Sequence, residues 1–278
     1  MASAWAYLNI TRPVCAWAAY RGFLVPVDPQ QGFVSVWTSG ILREGRKDAL
    51  NAELALEQVR RTMFPHQVSR LTGMYVFPEP NSAKRAMSWT GDTFPERYLS
   101  ALGLQNQVSS NAWVDANWIN HAYNSSAAPK DWEARYWSGE PYPIGEPIWE
   151  VLLNQKAVVL NTELRERAYQ IIKRYLPDAL AILEMGRLAG AAGSDLGNIA
   201  CYIRADNGRL VGEHMLDMGD ADNPELHERL AALLDGGHPK REEALSVGAE
   251  RGVFYLPDLT PLNFNIPWAE NAYPHPHA

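Results

Sequence analysis

Pro65 constrains this chain more than any other residue, because one hydrophobic period gives way to another around it. Upstream, Leu50, Leu54, Leu56 and Val59 recur at helical spacing, with Asp48 placed to cap the helix and Pro65 to stop it. Proline lacks the amide an interior helical turn needs, and it drives its predecessor toward extended backbone. Downstream, Leu71, Gly73, Tyr75 and Phe77 alternate with Thr72, Met74 and Val76 at the period of a strand. Both faces are largely apolar, which predicts a central strand rather than an edge. Its entrance carries Ser69, Arg70 and Thr72, whose hydrogen-bonding groups need partners in the protein or in a ligand.

The flanking elements are shorter. Residues 14–27 read as a strand with Arg21 and Gly22 set into it, the glycine marking close approach of a backbone or ligand. Pro29 and Gly32 frame a turn before a second strand at 33–37, and Ser82 is placed to cap a short helix over 83–89. Residues 90–145 are rich in turn formers and contain Trp113, Trp118, Trp132 and Trp137; they read as short elements and long loops. Strands at 148–153 and 156–160 have the spacing of a hairpin about Asn154-Gln155.

Composition changes after residue 160. Asn161 or Thr162 caps a helix with Leu164, Ala168, Ile171, Ile172 and Tyr175 on one face, and Pro177 breaks or kinks it. Helix continues over 180–188, and the glycine-rich segment 190–197 reads as a linker. Strands at 199–203 and 209–215 flank the hairpin turn Asp206-Asn207-Gly208. Asn223-Pro224 opens a helix that Gly236-Gly237 closes. Residues 252–256 form the last strand candidate, and the tail at 274–278 reads as loosely held.

With 46% hydrophobic and 21% charged residues, this 278-residue chain has the composition of a folded protein. A formal net charge of −7 argues against non-specific nucleic-acid binding, which needs cationic side chains to neutralise phosphates. Cys15 and Cys201 are too few for a disulfide framework or a cysteine zinc site, which fits a reducing cytoplasm. The N-terminus lacks a basic leader and no apolar run has spanning length, so neither a secretory signal nor a membrane partner is expected. No metal is expected either. Asp217, Asp220 and Asp222 lack the glycine and terminal glutamate of a calcium loop, and the histidines show no helical zinc pair.

Glu150 is the sharpest chemical signal, a lone carboxylate in the apolar run Ile148-Trp149-Glu150-Val151-Leu152-Leu153. A buried carboxylate is costly unless it is paired, hydrogen-bonded or used in catalysis. Arg70 and Arg21 are natural ion-pair partners, and by the residues alone pairing and catalysis weigh about evenly.

Several of these residues carry a resemblance. Glu57 and Arg60 on a helix, Phe64-Pro65, Ser69-Arg70-Leu71, Tyr136-Trp137-x-Gly139 and Trp149-Glu150-Val151-Leu152 resemble an uncharacterised bacterial family grouped with the ADP-ribosyltransferases. The likeness covers roughly the first 160 residues. It implies an α+β fold, with an ADP-ribosyltransferase-like split sheet over residues 1–160 and a helical and hairpin region over 161–278. It implies NAD as the substrate and transfer of ADP-ribose to an unidentified macromolecular acceptor. A role as an intracellular toxin or defence factor follows, with an antitoxin or immunity protein as a partner. Glu150 matches the strand glutamate that meets the nicotinamide ribose, where a fixed negative charge favours the oxocarbenium-like transition state. Arg21 resembles a first-strand arginine gripping NAD, with Gly22 admitting the ligand. Ser69, Arg70 and Thr72 stand in place of a Ser-Thr-Ser strand at the nicotinamide pocket. Glu146 either helps activate the acceptor or, the better reading, is a solvated loop residue. With water as acceptor the same site is an NAD glycohydrolase. The reading from a different class is a non-enzymatic interaction or glycan-binding protein that uses the tryptophan-rich middle.

Overall fold

The computed structural model describes residues 2–28, 31–89, 95–105, 112–124, 130–247 and 253–268. Within them the chain is α+β, with three antiparallel sheets and ten helices. Strand β1 (Ala2–Tyr7) leads into helix α1 (Pro13–Arg21) and the short strands β2 (Phe23–Leu24) and β3 (Phe33–Val34). Helix α1 corrects the strand expected over 14–27. Pro13 suits a first helical turn, the alanines favour helix, and Gly22 closes it with φ 89°. Because α1 buries residues around most of its circumference, it shows no amphipathic period to read.

The second expected strand stops after two residues, and helix α2 (Val36–Arg43) takes over, the Ser35 hydroxyl accepting the Thr38 amide at 3.2 Å. Helix α3 (Lys47–Met63) ends just before Pro65, as the sequence predicts. Strand β4 (Met74–Val76) is shorter than expected, and α4 (Pro80–Ala86) follows it. The loop-like stretch after residue 90 contains β5 (Leu99–Leu104), β6 (Ala112–Asp115), α5 (Asn117–Asn124) and α6 (Trp132–Trp137).

Strands β7 (Trp149–Leu153) and β8 (Ala157–Val159) both form, but they do not pair with each other. One sheet has the order β4-β7-β6 and the other β1-β5-β8-β2, so Asn154-Gln155 passes the chain between sheets instead of turning a hairpin. Neither residue is the glycine that a two-residue hairpin turn favours. Strand β4 is therefore an edge of its sheet and not central. Its open side meets β1 at a single bridge, where Trp5 and Phe77 exchange backbone hydrogen bonds of 2.8 and 2.7 Å.

Next come helices α7 (Thr162–Tyr175) and α8 (Leu180–Ala191), Asn161 capping the first by accepting the Leu164 amide at 2.9 Å. Strands β9 (Ile199–Asp206) and β10 (Arg209–Leu216) make the expected hairpin, with Asn207 at φ 49° and Gly208 at φ 70° as a primed turn requires. Helices α9 (Pro224–Asp235) and α10 (Glu242–Leu245) precede β11 (Phe264–Pro267), and the third sheet has the order β11-β10-β9-β3. Residues 253–256 are not a strand, while residue 252 and the tail at 274–278 lie outside the described residues.

Elements from before and after residue 160 share layers. Strand β3 pairs with β9, and Trp17 and Tyr20 of α1 pack among Leu164, Ala168, Tyr169 and Leu183 of α7 and α8. Segment 190–197 is packed and not a free linker. Trp17 donates to the Gly197 carbonyl at 2.8 Å, and a Cβ on Gly197 would lie 2.8 Å from the Gly186 Cα in α8.

Candidate functional site

Helix α3 places Glu53 and Glu57 one turn apart on a shared face, pointing toward the loop that enters β4. Arg70 on that loop is buried between two acids. Its Nε and Nη2 fork onto Glu53 at 2.8 and 3.0 Å, and its Nη1 donates to Glu150 of β7 and to the Tyr136 hydroxyl of α6. Tyr136 in turn donates to Glu150 at 2.8 Å, and Tyr123 of α5 donates to Glu53 at 2.5 Å. The guanidinium also lies over the Tyr75 ring, 4.6 Å from its centroid. Burial works against the charge on Arg70, but Glu53 and the surrounding groups outweigh it and hold the guanidinium above its ordinary value. Burial likewise pushes the Tyr75, Tyr123 and Tyr136 hydroxyls well up, so they act as neutral donors.

Ser69 belongs to the next turn of the same assembly. Its hydroxyl donates to Glu57 at 2.7 Å, beside Arg60 at 2.7 Å and Arg61 at 3.1 Å from that carboxylate. Burial opposes ionisation of Glu57, yet Arg60 and Ser69 outweigh it and keep the carboxyl below its usual range. Thr72 is buried, with its amide on the Ser69 carbonyl at 3.4 Å. The Ser69 and Arg70 side chains therefore find their partners within the protein.

Arg21 lies elsewhere, on a helix instead of a first strand, which removes the position by which it was matched. It is fully buried, donating to the Ser194 and Leu196 carbonyls at 2.7 and 3.2 Å. Burial lowers its affinity for a proton, against the pull of Asp195 and Asp217. Gly22 does mark a close approach, but the neighbour is Arg165 of α7, whose Nη2 would stand 2.6 Å from an added Cβ. Arg21 and Glu150 share no hydrogen-bond or ion-pair partner among the described residues. The structure thus joins Ser69, Arg70 and Glu150 through α3 and leaves Arg21 and Gly22 with α7 and the 194–196 loop.

A second polar group sits where the β1 and β4 sheets meet. Arg85 of α4 reaches Glu146 at 3.4 Å, the Pro147 carbonyl at 3.1 Å, Ser82 at 3.3 Å and Glu79 at 3.8 Å. Tyr7 of β1 donates to the Ala83 carbonyl at 2.9 Å and stands edge-on to Phe77. Burial and the charge of Glu96 push its hydroxyl up to about 12. The Glu146 side chain is 81% exposed, so unlike Glu150 it is open to an incoming molecule. The sequence signal for this group was weak: a carboxylate just before Pro147 at the approach to β7, with Arg85 far away in the chain.

Trp118, Trp132 and Trp137 are buried together, and of the four tryptophans in the middle segment only Trp113 is exposed. Among the described residues no cluster of metal-ligating side chains occurs, and no helix is long and apolar enough to cross a membrane. Comparison with protein-family models, curated proteins and solved structures returns no match.

Proposed function

We propose that this chain is an NAD-dependent ADP-ribosyltransferase in which Glu146, rather than Glu150, faces the ribosyl cation. The observation that carries the reading is the seam. A four-stranded and a three-stranded sheet part between β1 and β4, joined by the Trp5–Phe77 bridge, and an accessible glutamate paired to an arginine stands beside it. A split sheet of this kind is what the resemblance to ADP-ribosyltransferases implies.

The chemistry needs a carboxylate that substrate can touch. When the bond from the anomeric carbon to nicotinamide breaks, nicotinamide leaves with the electron pair and positive charge spreads over the ribose. Glu146 accepts a hydrogen bond from a ribose hydroxyl and offsets that charge, while Arg85 orients the carboxylate and offers donors to ribose or phosphate oxygens. The acceptor then adds at the anomeric carbon and loses its proton; with water in that role the product is free ADP-ribose. Glu150 acts at one remove, since its bond to Arg70 ties β7, the strand Glu146 leads into, to the loop before β4. In a cell, this activity would suit a toxin or defence factor.

Nicotinamide release from NAD by the purified protein is the test. Glu146→Gln should lower it on the order of a hundredfold, as loss of one preorganised electrostatic group does. Absence of release by the unaltered protein, or full release by the variant, would overturn the assignment.

A further inference from the structure

We propose that the space between α1, α2 and β10 binds a small phosphate-type oxyanion, free or as the end of a phosphomonoester. This site is separate from the Glu146 seam and uses none of its residues. The space encloses about 300 Å³, open mouth included, and is lined by Arg12, Cys15, Ser39, Gly40, Arg43 and His214. Its interior proper is about 20 Å³, room for little more than a water molecule, so only a small ion fits.

Val14, Val36 and Leu262 give the space an apolar wall, and the Ser39 hydroxyl donates to the Val36 carbonyl, so its available donors are Arg12, Arg43 and His214. Arg43, an exposed residue at the end of α2, makes no hydrogen bond or ion pair with another described residue, so its guanidinium can turn to a ligand. Arg12 spends one nitrogen on Glu44 at 2.6 Å, while its Nη1 lies against Gly40, where an added Cβ would come within 2.8 Å. The glycine thus makes room for the second arginine. The imidazole Nδ1 of His214 is buried with no partner, and a polar atom left so is costly unless something fills the place. Its backbone amide donates to Asn263 at 2.9 Å, and the same Asn263 side chain also bears on the imidazole.

Charge selects the ligand's sign. Burial, with Arg43 adding to it, lowers the His214 pKa against the opposing hydrogen bond of Asn263, which favours a neutral ring that can offer Nδ1–H. Burial pushes the Cys15 thiol up to about 11 despite Arg12 and Arg43, so no thiolate competes for the cations at neutral pH. Among the described residues no acid lines the space itself, and Glu44 is held by Arg12. Donors from three parts of the chain, Arg12 before α1, Arg43 of α2 and His214 of β10, line one volume, an arrangement that suits the several oxygens of a tetrahedral anion. A planar carboxylate needs only the fork of one guanidinium.

The experiment is thermal unfolding of the full chain, with inorganic phosphate in one arm and glycerol phosphate in the other, each against chloride of equal ionic strength. A saturable rise in melting temperature beyond the chloride control is expected, and the arm that saturates at lower concentration identifies free ion or ester. Arg43→Gln strands no partner and should fold normally, yet weaken the binding roughly tenfold or more, the scale of one charge-assisted contact. His214→Gln should weaken it less, while Arg85→Gln at the seam should leave it unchanged. A rise no larger than with chloride in both arms, or binding undiminished in Arg43→Gln, overturns the proposal. Loss of binding on changing Arg85 does so too.

Discussion

Arg70 holds Glu150 from inside the protein, donating to its carboxylate through Nη1 while forking onto Glu53 with its other two nitrogens. Two buried acids therefore share one cation, and the members of the group are unequal. Removing Arg70 strands both acids, whereas removing the Glu150 charge leaves Arg70 its fork on Glu53. Arg70→Met should cost about 3–5 kcal/mol, the range for a broken buried pair. Glu150→Gln should cost only about 1–2 kcal/mol. Chemical denaturation of the two variants checks the ordering, and equal losses would contradict it.

Ligand binding is separable from turnover at the seam. If NAD binds only the folded chain, a hundredfold excess over its dissociation constant should stabilise the protein by about 2.7 kcal/mol. Arg85→Ala should reduce this gain by removing donors to ribose or phosphate, while Glu146→Gln should keep most of it. A melting curve indifferent to NAD would remove the proposed activity altogether.

Acid should weaken the fold through Glu184 of α8. Burial alone would raise its carboxyl, but Arg187 at 2.7 Å, Tyr20 at 2.7 Å and the Arg241 amide at 2.8 Å outweigh it, so the folded value lies below the ordinary one. A lowered folded pKa lends stability in full above the unfolded value of about 4.3, and that stability drains as pH falls through the folded value. Unfolding free energy measured from pH 6 down to pH 3 should therefore fall less steeply in Glu184→Gln. Parallel slopes would show that the donors around Glu184 do not favour its charge.

Two glycines of the 190–197 segment separate packing from flexibility. Gly193 has φ 87° with nothing within 4 Å of an added Cβ, so alanine there meets only the left-handed backbone cost of about 1–2 kcal/mol. Gly197 has φ 76° and would press its Cβ against the backbone of α8, so alanine should cost about 3 kcal/mol or more. Similar, small losses at both positions would restore the picture of a free linker.

What the sequence by itself determined lies within a few residues of each signal. Pro65 ends α3, Asn161 caps α7 and Asn207-Gly208 turns the β9–β10 hairpin, because missing amides, side-chain caps and positive φ act on their own neighbourhood. Glu150 announced itself as a charge needing a partner, and Arg70 was one of the two arginines named for it. Tertiary structure decided between them, seating Arg21 on the 194–196 loop and Arg70 between two acids. It also made a helix of the apolar run before Gly22, since a segment buried on nearly every side carries no period to separate helix from strand. The pairing of β7 and β8 with different sheets, and the meeting of Glu146 with Arg85 across 61 residues, rest on contacts between distant segments. No local propensity encodes such contacts; they form only when whole sheets pack and cover one another's apolar faces.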